Sequence, residues 1–239
     1  MNEKILELRI SVYLKNDLKL NNMYEEVSKL VNYSMEGSDY LSDIHKKQKT
    51  FKHYCISGLY PTERDRIYKC DNVYNFMIRS YNTKLIKNLQ KCLMNIENNM
   101  FVVMSIDLFI YNKSNIEYVD TLTPAIIIKD NLCWNIYSDD IDYFKKYIFM
   151  NLANKYNSLQ GLKMNFNYDD IIKDIEIKNS HAITFDYKGI KMLSYKLRIY
   201  FHENNIDQEV ANLSIAEGVG QKNSSMATGF CKPYFLNKR

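Results

Sequence analysis

Leu6, Leu8, Ile10, Val12 and Leu14 put an apolar residue at every second position, and Glu7, Arg9, Ser11 and Tyr13 fill the positions between. That period of two is the pattern of a strand with one face on a core and the other turned away from it. The period then changes. Met23, Val27, Leu30, Val31 and Met35 recur at helical spacing behind Asn21 and Asn22, which can cap a helix, and Gly37 and Ser38 end it. Residues 52–58 are short and β-rich, and 73–81 ("VYNFMIRSY") reads as another strand. Residues 82–96 open on an Asn cap and carry Leu85, Leu89, Cys92, Leu93 and Ile96 at helical spacing. Residues 100–111 ("MFVVMSIDLFIY") are a further strand. The order is β-α-β-β-α-β, that of a split-βαβ or ferredoxin-like unit.

A second pass repeats the order without repeating the sequence. Residues 118–128 read as a strand, and 139–156 as a helix with Ile141, Phe144, Ile148 and Leu152 inward. Residues 181–201 read as two strands around a Lys188–Gly189 turn. Residues 205–218 read as a helix capped by Asn205, with Val210, Leu213 and Ile215 on its apolar side, and "GFCKPYF" as a closing strand. The fold class expected is α+β: two tandem ferredoxin-like (RRM-like, βαββαβ) domains with a C-terminal glycine-rich loop. The domains should span 1–113 and 116–239, divided where "NKSN" (112–115) breaks the pattern.

Composition excludes more than it selects. Among 239 residues, 46% are hydrophobic and 25% charged, which is ordinary for a globular protein. A net charge of +4 is too mild to demand a nucleic-acid partner, and the 20 tyrosines go with abundant Asn, Lys and Ile, all residues of A/T-rich codons. The five cysteines are widely spaced and contain no CxxC pair, so neither a zinc site nor a disulfide framework is suggested. The first fifteen residues lack a signal-peptide core, and no run approaches the ~18 apolar residues of a membrane span. The expectation is a soluble cytoplasmic protein with no membrane partner.

Three of the seven glycines fall in "GVGQKNSSMATGF", residues 218–230. Gly218 stands where the last helix ends and suits a left-handed cap. Gly220, the Gln221–Ser225 run and Gly229 need another reason. A glycine-rich loop can turn backbone N–H groups toward an anion, Lys222 adds a charge, and Asn223, Ser224 and Ser225 add donors. The spacing is neither that of a Walker loop nor GxGxxG after a strand. A helix followed by GxGxKNS and Gly-Phe, at the end of a double ferredoxin-like chain, resembles the CRISPR repeat-processing endoribonucleases. "HKKQKTFKHYCISGLY" (45–60) is similar to the family's His, Lys and aromatic strand segment, and "LTPAIII" (122–128) to its Thr-Pro strand. One departure is Cys231, where the family pattern expects a third glycine after Gly229-Phe230.

The resemblance implies metal-independent RNA cleavage with no cofactor. The ribose 2′-OH attacks the adjacent phosphorus and leaves a 2′,3′-cyclic phosphate and a 5′-OH. Such chemistry needs a base, an acid and a cation for the phosphorane oxygens. Carried onto this sequence, the resemblance puts the proton-transfer role on His45 and the charge on Lys52, with Lys49 as fallback; a tyrosine would come from Tyr33 or Tyr40. His53, beside Lys52, should point away from it by strand alternation. Gly218, Gly220, Lys222, Asn223, Ser224 and Ser225 would cradle RNA. Lys49, Arg79, Lys191, Lys196 and Arg198 are candidates to grip phosphates, the last two sharing strand parity; for any single one, an ordinary solvated face is the slightly stronger explanation. The aromatic strands 73–81 and 195–201 could stack bases or fill the core. The partner implied is CRISPR repeat RNA (precursor crRNA), with other effector-complex subunits and a second copy of the chain left open. Two other readings fit the same residues: a repeat-RNA binder that does not cut, and a ferredoxin-like protein with a small phosphorylated ligand in the loop.

Overall fold

The alternating segment forms β1 (Lys4–Leu14), and Leu8, Ile10, Val12 and Leu14 on its inner face are fully buried. Each such side chain contributes about 1.5–3 kcal/mol of hydrophobic stabilisation. The structure, a computed structural model, describes residues 4–167 and 171–236; the outer ends of the two expected domain ranges, 1–3 and 237–239, lie outside them. α1 (Leu20–Met35) and α2 (Asp39–Lys46) follow, then β2 (Cys55–Ile56), β3 (Val73–Ser80), α3 (Thr83–Leu93) and β4 (Phe101–Asn112). The first sheet has the order β2-β3-β1-β4, all antiparallel, with Leu8 opposite Ile78 on one side and Leu108 on the other. This is the strand order of a ferredoxin-like unit, with its helices on the apolar face.

The second half repeats it. Among the described residues, its elements longer than two residues are β5 (Ile116–Thr121), α4 (Ile141–Gln160), β6 (Ile172–Ile177), β7 (Ile183–Tyr187), β8 (Ile190–Ser194), β9 (Leu197–Phe201), α5 (Asn205–Glu217) and β10 (Cys231–Phe235). The second sheet has the order β6-β9-β5-β10. The protein is thus an α+β fold of two tandem ferredoxin-like units.

Several sequence expectations shift. α1 begins earlier than Asn21 and Asn22 suggest: its cap is Lys19, which makes no side-chain capping bond. Asn204, not Asn205, caps α5, accepting from Asp207 N–H at 3.2 Å. Asn82 caps α3 as expected, at 3.0 Å from Leu85 N. The strand expected over 118–128 is β5 only as far as Thr121; beyond it the Leu122 and Thr123 N–H groups both donate to Phe230 O, at 2.7 and 3.4 Å. The two strands around Lys188–Gly189 are a separate hairpin, β7–β8, inserted between the second and third sheet strands. The second sheet strand itself, β6, escapes the sequence pattern because a bulge between Ile172 and Asp174 breaks its period of two.

The inserted hairpin packs on the other unit, with the Phe185 ring 4.6 Å from Tyr24 of α1. Phe185, Met192 and Ile126 thereby join the first core, while Ile5 and Tyr81 join the second. The two cores interlock across the seam. Among the described residues no helix is long and apolar enough to cross a membrane.

Candidate active site at the seam of the two units

The glycine-rich segment follows α5 and passes directly over the 123–128 segment and the inward face of α4. Close approach explains its glycines. A Cβ on Gly229 (φ 64°) would lie 1.9 Å from Val219 O, and one on Gly220 (φ 70°) 2.7 Å from Ile126 O. Gly218 has a positive φ of 73° but a ψ of 173°, so it redirects the chain out of the helix in place of the left-handed cap expected. The turn after Lys222 is closed by Met226 N–H to Lys222 O at 2.9 Å. At Cys231 the chain is already the extended strand β10, paired with Thr121, so a side chain fits where the family pattern has glycine. The thiol is buried, and burial pushes it up to about 12.

Lys155 lies beneath this loop. Its fully buried ammonium donates to Gly218 O (2.7 Å), Gly220 O (3.3 Å), Glu217 O (3.4 Å) and Asn223 Oδ1 (2.6 Å). Burial depresses it to about 8, against the opposing attraction of Glu217. Asn223 is correspondingly inward: its amide also donates to Val219 O and Thr228 O, both at 2.8 Å. The structure therefore makes Asn223 a brace of the loop, not the exposed donor expected. Lys155 was legible in principle, because it continues the apolar stripe Phe144–Ile148–Leu152 at helical spacing.

Facing the loop is the segment leading into β2. The two enclose an open pocket of about 570 Å³ whose walls include Lys49, Lys52 and His53 on one side and Gly220, Lys222, Ser224 and Ser225 on the other. Backbone bonds join the walls, Ile56 N–H donating to Asn223 O at 3.2 Å. Lys49, Lys52, Gly220, Lys222, Ser224 and Ser225 are thus brought together by the fold. Burial lowers Lys52 below the usual lysine range, and its Nζ donates to His45 O at 3.1 Å.

His45 sits in the last turn of α2, not in a loose connection, and its ring is exposed. The protein around the ring, then the Lys52 and Lys188 charges, lower it below the ordinary imidazole value, with Glu36 opposing. His45 adjoins the pocket through its backbone carbonyl, and its side chain is not part of the wall. His53 corrects the alternation argument. Residue 53 has a φ of 56° and precedes β2, so strand parity does not apply, and its ring shares the pocket wall with Lys52.

The other candidates stand elsewhere. Tyr33 is exposed on α1. Tyr40 accepts from Asn82 Nδ2 at 3.1 Å and lies under the Lys84 ammonium, 4.3 Å from the ring centroid. Arg79 is a seam brace: Nε donates to the buried Glu7 at 2.6 Å, Nη1 to Cys231 O at 2.7 Å, and its guanidinium lies over Phe230. Lys196 donates to Leu122 O and Arg198 forks onto Asp120 at 2.7 and 2.8 Å. These three cations, expected to grip phosphate, have internal partners instead, while Lys191 stands exposed in β8. Tyr74, Phe76, Tyr195 and Phe201 are buried, so those strands fill cores; Tyr200 instead packs on Tyr118 at 5.4 Å.

No family model matches the sequence, and no curated protein matches it. Solved structures do resemble the fold. A "CRISPR associated protein Cas6" superposes with a TM-score of 0.71 at 16% identity, over 96% of this chain and 99% of that one. "An RAMP protein binding different RNA substrates" gives 0.72 at 15%, over 96% and 99%. A Cas6-related protein from Pyrococcus furiosus gives 0.67 at 16%, over 98% and 100%. At 96–98% of this chain, these similarities span both units.

Proposed function

We propose that this chain is a CRISPR repeat-processing endoribonuclease of the Cas6 kind, cutting precursor crRNA without a metal by 2′-OH attack. The observation that carries the reading is the pocket at the seam. There the fold sets Lys49, Lys52 and Lys222 around the turn of the glycine-rich loop, beside His45, within an architecture shared end to end with Cas6 structures. The cations offer attraction for an RNA backbone. Lys52, half-buried, is placed to stabilise charge that develops on phosphorane oxygens. His45, held toward its neutral form, suits the base that takes the 2′ proton.

The runner-up is a repeat-RNA binder that does not cut. It is favoured by one observation, that the His45 side chain stands outside the pocket wall. Repeat RNA incubated with the protein in EDTA separates the two. Cleavage that leaves a 2′,3′-cyclic phosphate, abolished by His45→Ala with binding retained, is the expected result. Binding without cleavage favours the runner-up, and cleavage unchanged in His45→Ala removes the assignment of the base.

A further inference from the structure

The pocket wall contains an imidazole that the reading above leaves without work. His53 Nδ1 lies 3.0 Å from both carboxylate oxygens of Glu217, and Nε2 lies 3.1 Å from Ser158 Oγ. Exposure falls steeply along the pair: the His53 side chain is 21% exposed and that of Glu217 only 1%. Ser80 Oγ donates to His53 O at 2.6 Å, which fixes the backbone behind the ring. The arrangement joins the units, because His53 belongs to the first and Glu217 ends α5 of the second.

A buried carboxylate facing one ring nitrogen fixes which nitrogen is left for chemistry. A carboxylate only accepts, so Nδ1 carries a proton toward Glu217. When the ring holds both protons, Nε2–H is left to donate to an oxygen, and Ser158 Oγ occupies that position here. An alcohol oxygen at hydrogen-bond distance from Nε2 is chemically what a departing ribose 5′-oxygen would be.

We propose that His53, oriented by Glu217, is the general acid of this site and delivers the proton to the leaving 5′-oxygen. The proposal rests on the endoribonuclease reading. As the 2′-oxygen–phosphorus bond forms, His45 takes the 2′ proton. As the phosphorus–O5′ bond breaks, O5′ takes the proton from His53 Nε2, and the ring returns to neutral with Nδ1–H still on Glu217. Both rings then exchange with water, so the net change is one proton moved from O2′ to O5′. Glu217 is a positioning residue: it acts through His53.

The test compares ordinary repeat RNA with RNA carrying a bridging 5′-sulfur at the cut. A thiolate leaves without protonation, its thiol pKa being about 8.5. In single-turnover reactions at saturating protein, His53→Gln, whose amide can still donate to Glu217, should slow the oxygen substrate by about 100-fold or more. It should cleave the sulfur substrate at the wild-type rate and bind uncleavable 2′-deoxy RNA as wild type does. Glu217→Gln should show the same pattern, weaker, and His45→Ala should be slow on both substrates. A His53→Gln rate that is unchanged, or equally slow on both substrates, overturns the acid role while leaving the endoribonuclease reading intact. Wild-type protein that cleaves neither substrate overturns both.

Discussion

A lysine with no solvent around it needs a reason to be charged, and Lys155 has four acceptors, three of them carbonyls at the end of α5 and in the loop. Removing it strands those oxygens and takes away a cation that the buried Glu217 attracts. Lys155→Met should therefore cost about 3–5 kcal/mol, read from the midpoint and slope of chemical denaturation; a loss under 1 kcal/mol would mean that the loop holds its shape without this side chain. The other residue-scale consequence concerns pH. His45 is lowered from its ordinary 6.5 by its surroundings and by Lys52. A base must be neutral to act, so cleavage of the 5′-sulfur substrate, which needs no general acid, should rise with pH through a midpoint below 6.5. A midpoint above 6.5 in the single-turnover pH profile would take His45 out of the base role. Little of this was visible in sequence. His45 and Lys52 came from a resemblance. Lys155 and Glu217 each carry a charge onto the apolar side of a helix, which is a signal, but one that points equally to a helix end reaching water.

Among the elements, the glycine-rich loop joins fold to function most tightly. Its backbone passes so close to itself that Gly229 tolerates no Cβ. Gly229→Ala should cost at least about 2 kcal/mol through strain at positive φ, and more from the clash with Val219 O; circular dichroism melting checks this. Lys222, at the exposed turn of the loop, has no such structural task. Lys222→Ala should leave the melting temperature alone while lowering the salt slope of RNA binding by about 0.7–0.9; an unchanged slope would place the RNA elsewhere. Most strands and helices of the first unit could be read from periodicity, because each has one apolar face and a clear boundary; the short α2, which carries His45, reads as a polar connection. The second unit was less legible for a physical reason: a bulge interrupts β6, and the best alternating strands after residue 180 form a hairpin that serves the other unit's core. The loop's glycines announced themselves as a cluster, yet only the packing shows that close approach demands Gly229 and that Asn223 faces inward.

At the scale of the molecule, the two ferredoxin-like units are joined by shared structure. The β7–β8 hairpin fills the first core, Arg79 links Glu7 to the Cys231 backbone, and His53 meets Glu217. The pocket lies on that seam, so its cations come from both halves, and weakening the seam should disturb cleavage from a distance. Arg79→Ala removes both seam contacts of one side chain and leaves Glu7 buried with less compensation. It should lower stability by about 3 kcal/mol, while RNA affinity of the folded fraction stays as in wild type. A selective loss of affinity without loss of stability would return Arg79 to the phosphate-gripping role read from sequence. The central claim is that this seam cuts repeat RNA through the ribose hydroxyl at the cut. Its most direct measurement places a single 2′-deoxy residue at the mapped cut site and assays cleavage in EDTA. The account predicts full cleavage of the all-ribose repeat and none of the deoxy repeat at that position, with equal binding. Cleavage of the deoxy repeat at the same phosphate would contradict it.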